Sequence, residues 1–221
     1  MSQEIDFLSS LHQSTPRNYL QRVLDHDKPT CAERAKLWGV DYWDGERCYG
    51  YGGMRYDGRW RSVAEAMAAH YQLRPGQRIL DIGCGKGYLL YEFTQVVPGI
   101  EVYGLDISSY ALAHAKPELK DRLTKGSCVD LPWPDDYFDF VYSITTLHNL
   151  FNYELYAALN EIERVTRKMS HIVVESYRNE QEKANLLYWQ LTCESFYTPD
   201  EWRWCFQQAG FQGDYSFIYF T

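Results

Sequence analysis

The sequence predicts an α/β domain, a doubly wound and mostly parallel sheet, preceded by an N-terminal helical and loop extension. Three observations carry that prediction. From residue 77 onward, strand-like runs alternate with helical patterns, as in a sheet covered by helices on both faces. The first strand-like run feeds directly into a glycine turn and then a helix. No internal repeat, low-complexity tract or long linker interrupts the 221 residues, a length that suits one core plus a modest extension. The expected division is 1–75 for the extension and 76–221 for the core.

In chain order, Thr15-Pro16 have the form of an N-cap and a first-turn proline, and Tyr19, Leu20, Val23 and Leu24 then share one helical face. Thr30 with Glu33 has the capping-box form, and Gly39 after Leu37-Trp38 is expected to stop that helix. Residues 41–60 are rich in Gly and Tyr with little periodicity and read as a structured loop. Val63, Ala66, Met67, His70 and Tyr71 recur at helical spacing. Strands are expected at 78–82, 101–105, 138–144, 171–175 and 215–220, with helices at 88–97, 109–116, 153–167 and 198–209. The last of these has a capping box at Thr198 and Glu201 and ends at Gly210.

Composition narrows the function classes. The formal charge of −8 disfavours nucleic acid as a partner. No apolar run approaches the roughly 20 residues of a membrane span, and MSQEIDFLSS lacks a basic, then apolar, secretion signal. A cytoplasmic location without a membrane partner is expected. The six cysteines are spaced too widely for a zinc ribbon or a redox pair, so no metal site is expected and the thiols read as buried side chains.

The strongest chemical signal is Ile79-Leu80-Asp81-Ile82-Gly83-Cys84-Gly85-Lys86-Gly87. Its glycines let the backbone turn tightly and approach a ligand. A dinucleotide fingerprint would need glycine at 88, where Tyr88 stands, and Asp81 would put a carboxylate near the pyrophosphate. A carboxylate there suits a cationic ligand, such as the amino group of S-adenosylmethionine.

The run D-x-G-x-G-x-G resembles motif I of the class I S-adenosylmethionine-dependent methyltransferases, and later landmarks keep that family's order over residues 75–211. The resemblance implies a Rossmann-like methyltransferase fold and S-adenosylmethionine as cofactor. It implies that Asp81, Gly83, Cys84, Gly85 and Gly87 surround the cofactor. Asp106 and Ile107, after Tyr103-Gly104-Leu105, would lie at the ribose, Val129 and Asp130 at the adenine edge, and Ser143 at the end of the fourth strand. Two departures stand out. Arg167-Lys168-Met169-Ser170 replaces the family's Pro-Gly-Gly turn, and only eleven residues follow the final helix, which is short for the customary terminal hairpin.

Cofactor residues say little about the acceptor. Residues 42–60 interleave aromatics, arginines and acids with glycines. Aromatic faces attract a sulfonium, and Arg47, Arg55 or Arg59 are candidates for an acidic substrate group. The bland alternative is a loop that packs the extension onto the sheet. Tyr51 and His148 are the candidate catalytic residues, His148 for proton removal. The segment 177–197, with an expected helical stripe of Ala184, Leu187, Tyr188 and Leu191, is a second candidate acceptor wall. The expected function is methyl transfer to a small-molecule O- or N-acceptor, a sugar, amino acid or secondary metabolite. A non-catalytic cofactor-binding module is the alternative, and a nucleic-acid or protein methyltransferase fits less well. Monomer and homodimer both fit the sequence.

Overall fold

The computed structural model describes residues 2–13 and 17–221, so the Thr15-Pro16 cap lies outside the described residues. The extension contributes α1 (Ser9–Gln13), α2 (Tyr19–Asp25), α3 (Lys28–Ala35), α4 (Val40–Asp44) and α5 (Arg61–His70). The α3 start corrects the sequence reading. Asp27 is the N-cap and accepts the Thr30 amide at 3.1 Å, which puts Thr30 inside the helix. Gly39 stops nothing, since α3 ends at Ala35 and Gly39 opens α4. Residues 41–60 are accordingly less irregular than expected, with α4 and a short 3-10 turn at Arg47–Tyr49.

The core follows as β1 (Arg78–Ile82), α6 (Tyr88–Val96), β2 (Glu101–Asp106), α7 (Ser109–Ala113), β3 (Leu123–Lys125), β4 (Phe138–Ile144) and α8 (Asn152–Val165). It ends with β5 (Thr166–Glu175), α9 (Glu180–Trp189), α10 (Pro199–Gln208) and β6 (Asp214–Ile218). The sheet order is β3-β2-β1-β4-β5-β6 and every paired strand is parallel. The chain reverses its direction of travel across the sheet between β1 and β4, so a crevice opens there at the carboxyl ends.

Alternating strand residues feed two cores. Ile79, Phe140, Tyr142 and Val173 pack with α5 and α6 on one face. Leu80, Ile82, Val141 and Ile172 pack with α8 and α10 on the other. Phe138 and Phe140 would share a face in a regular strand. A register shift between them sends Phe138 to the α8 side.

β5 starts five residues before the expected 171 and runs straight out of α8 with no Pro-Gly-Gly-type turn. Asp139 on β4 holds this entry, with Lys168 at 3.1 Å and Arg167 at 3.7 Å, and accepts the Arg78 amide at 3.0 Å. Residues 3–5 run along the outer edge of β6. Ile5 donates to Tyr215 O at 2.8 Å and the Tyr215 amide donates to Gln3 O at 3.0 Å, which covers the β6 edge. α9 also turns a different face inward from the expected stripe, with Leu187 and Tyr188 exposed. Polar partners explain this: Glu182 pairs with Arg178, and Asn185 donates to Phe220 O at 2.9 Å. Among the described residues, no helix is long and apolar enough to cross a membrane.

Candidate active site

The site begins where β1 and β2 end side by side. The Gly83 and Cys84 amides donate to Leu105 O at 2.7 and 3.1 Å, which docks the glycine turn on β2. Asp106 then accepts the Gly85 and Ser108 amides, each at 2.7 Å. Burial raises the Asp106 pKa, and these two amides oppose the rise. Asp81, one turn below, is 6% exposed and is pushed up to about 8 by burial, with Tyr142 lowering it and Asp106 raising it further. Neither carboxylate forms an ion pair among the described residues.

Ser108 connects this turn to the extension. Its hydroxyl caps α7 through the Ala111 amide, donates to Trp38 O at 2.5 Å and accepts Trp43 Nε1 at 2.9 Å. The Trp43 ring lies so close over Gly85 that a Cβ on that glycine would sit 2.7 Å from it, and Gly85 has φ +54°. Tyr51 stacks on Trp43 at 5.4 Å. The cover is latched by Lys86, which reaches Asp44 at 2.7 Å and Met54 O at 2.8 Å, and by Tyr110, which donates to Asp44 at 2.9 Å. Burial pushes Asp44 up, but Lys86 and Tyr110 outweigh it and hold the carboxyl below its usual range.

Beyond Tyr51 lies a cavity of about 840 Å³ over the carboxyl ends of β4 and β5. It meets the glycine turn at Thr145-Thr146. Thr146 fills the space a Gly83 side chain would need, and Thr145, with φ +55°, lines the cavity. A β-branched residue rarely adopts that backbone geometry. His148 and Glu175 stand together on the cavity floor, Nε2 to Oε2 3.5 Å, with Gln190 donating to the same Glu175 oxygen. Burial drives His148 down to about 3 and Glu175 up to about 8. The insertion after β5 clasps this floor, because the Glu194 and Ser195 amides both donate to His148 O, at 2.9 and 3.0 Å.

Residues 80–174, from β1 through β5, match a family model described as a methyltransferase domain. Over 118 residues the chain is 35% identical to a demethylmenaquinone methyltransferase of Symbiobacterium thermophilum, covering 50% of this chain and 46% of that protein. Over 109 residues it is 34% identical to a sterol 24-C-methyltransferase of Gibberella zeae, covering 46% and 28%. The YcgJ protein of Bacillus subtilis shares the fold, with TM-score 0.55, 22% identity and 66% of each chain covered. Residues 80–174 are thus similar to a methyltransferase domain, and the fold agrees with that likeness. The matched stretch spans less than half the length of either curated relative.

Within the matched stretch, Asp81, Gly83, Gly85 and Asp106 gather at one crevice, with exposed Ile107 beside them. The remaining candidate residues have contacts of their own. Ser143 is fully buried and donates to Ile82 O at 3.0 Å, so it braces β4 against β1. The Cys84 side chain points into the core toward Gly104, and the bare side of Gly87 faces Leu119, so those side-chain positions serve packing. Val129 is half-buried and Asp130 exposed, on a turn where the Asp130 amide donates to Ser127 O. Tyr51 and His148 line one cavity, as do Arg47, Arg55 and Arg59, but Arg59 is neutralised by Asp57 at 2.5 Å. Burial, which holds the His148 pKa near 3, makes it a weak base at neutral pH. Sequence reasoning missed Trp43, Trp189 and Glu175. Only Glu175 left a signal, an acid closing an apolar strand.

Gly85→Ala is expected to lower stability by about 1–3 kcal/mol through backbone strain and to displace Trp43, seen as a shift in tryptophan emission. Gly76, at φ +80° with open space around it, supplies the control, since Ala there strains a turn whose amide bonds Gly99 O and not Trp43. Equal emission spectra for both variants and the parent would show that Trp43 does not rest on Gly85.

Proposed function

We propose that this chain is an S-adenosylmethionine-dependent methyltransferase acting on a small polar O- or N-acceptor held in the cavity over β4 and β5. One observation supports it most: two buried carboxylates without cation partners, Asp81 and Asp106, stand at adjacent strand ends inside a methyltransferase domain. Both fit a ligand that offers an ammonium and hydroxyl donors. Asp81 would receive the ammonium and Asp106 the ribose hydroxyls, using lone pairs left by the Gly85 and Ser108 amides. Val129 and Asp130 would lie at the adenine end. When bound, the cofactor supplies a methyl group already activated on a sulfonium.

The protein's own part is to orient, exclude water and take a proton. Trp43 and Tyr51 form an aromatic cover whose faces suit a sulfonium, and Tyr51 also walls the acceptor cavity. Glu175, ionised above about pH 8, is better matched than His148 to receive the acceptor's proton. His148 then acts as a positioning residue beside it. The relatives are named for carbon acceptors, quinone and sterol. The arginines, Glu175 and Gln190 on the cavity wall favour a polar acceptor over such apolar molecules.

Asp106→Ala is expected to weaken S-adenosylmethionine binding at least about tenfold by calorimetry, since charge-assisted hydrogen bonds contribute about 1.5–3 kcal/mol each. Unchanged affinity in a folded variant would remove Asp106 from the ribose site. With an acceptor found by screening for S-adenosylhomocysteine formation, turnover should climb with pH to a plateau above about 8, because Glu175 must lose its proton first. Glu175→Gln should cut turnover by about 100-fold or more and flatten that profile. A Gln variant that kept the pH rise would place the base elsewhere.

A further inference from the structure

We propose that the cavity recognises its acceptor by an oxyanion, a carboxylate or phosphate group, held between Arg22 and Arg47 beside the Trp189 ring. The chain is acidic overall, yet this corner concentrates positive charge. The guanidinium carbons of Arg22, Arg17 and Arg47 lie 4.7, 5.3 and 5.3 Å from the Trp189 ring centre, and all four residues line the cavity. Arg22 donates to Arg47 O at 3.0 Å and Arg47 to Tyr51 O at 2.6 Å. Neither has a carboxylate within ion-pair distance among the described residues. On the wall of the same cavity, Arg59 does meet an acid, Asp57.

Like charges packed this closely repel one another unless an anion joins them. Burial lowers the Arg22 pKa, and Arg47 beside it lowers it further. The one acid on the cavity floor, Glu175, does not offset them, since burial keeps it protonated at neutral pH. An oxyanion would complete the corner through the guanidinium edges, a pairing whose planar fork matches carboxylate and phosphate. Tyr42, Tyr51 and Phe220 complete apolar walls around the same space, which suits a flat or ring-shaped body attached to the anion. With the anion anchored at Trp189, the far end of such a molecule would point toward Glu175 and Thr145. Calling this molecule the acceptor rests on the methyltransferase reading; the binding of the anion does not.

The test titrates benzoate, phenyl phosphate and benzamide into the protein, with and without S-adenosylhomocysteine, following the Trp189 indole resonance assigned by Trp189→Phe. Benzoate or phenyl phosphate should bind at least about tenfold tighter than uncharged benzamide, and which of the two binds tighter identifies the oxyanion. Arg22→Gln and Arg47→Gln should each erase that preference, while Arg47→Lys, which keeps the charge if the Gln variant misfolds, should keep most of it. Benzamide binding as tightly as both anions, no binding by either anion, or folded Gln variants that retain the preference would overturn the proposal. Anion binding without any S-adenosylhomocysteine binding would uphold this site and sink the methyltransferase reading instead.

Discussion

The Asp106 carboxylate is the joint on which the site hangs. One oxygen holds the Gly85 amide of the turn after β1, and the other holds the Ser108 amide that opens α7. Charge-assisted bonds of this kind are about twice as strong as neutral ones. Ser108 in turn carries Trp43, and Trp43 carries Tyr51, so a single buried acid sets the position of the glycine turn, a core helix and the extension that covers them. The extension is therefore continuous with the core at this point. Its α5 helix packs in the same cluster as β1 and α6.

A second consequence is electrostatic. The site holds acids on one side of Tyr51 and arginines on the other. Asp81 and Asp106 lie beside the glycine turn on which Trp43 rests, while Arg22 and Arg47 line the cavity beyond. Asp81 and Asp106 are buried with no cation beside them among the described residues, while half-buried Arg22 and exposed Arg47 repel each other. Opposite charges brought by two ligands would relieve both halves, a cation at the glycine turn and an anion at Trp189. Glu175 and His148 lie on the floor where the two halves meet, with their protonation set by burial.

Much of this was legible in the sequence, and the rest failed for identifiable reasons. β1, β2 and β4 are apolar runs bounded by turn residues, so their positions could be read directly. β3 has three residues and too little pattern to register. Asp27 and Thr30 both have the form of an N-cap, and only the folded chain shows that Asp27 is used. The α9 face was misjudged because its inward polar residues answer partners outside the helix, Arg178 and Phe220 O. Within the site, Asp81 and Asp106 were visible because one motif and one strand end carry them. Trp43 and Trp189 were not, because each matters only through residues far away in the chain. Gly85 and the arginines of α2 and the 45–60 segment supply those meanings in the folded protein.

On the proposed reading, Asp81 rests as a neutral acid until the ammonium of a cationic cofactor reaches it. Its pKa near 8 means that the free protein holds close to one proton there at pH 7, and an ammonium beside it would favour the ionised form and expel that proton. Calorimetry of S-adenosylmethionine binding at pH 7, in buffers of differing ionisation heat, counts the protons exchanged. The account predicts release of close to one proton by the parent protein and loss of that release in Asp81→Asn. Binding by the parent protein with no proton exchange, or with the same release in Asp81→Asn, would contradict it.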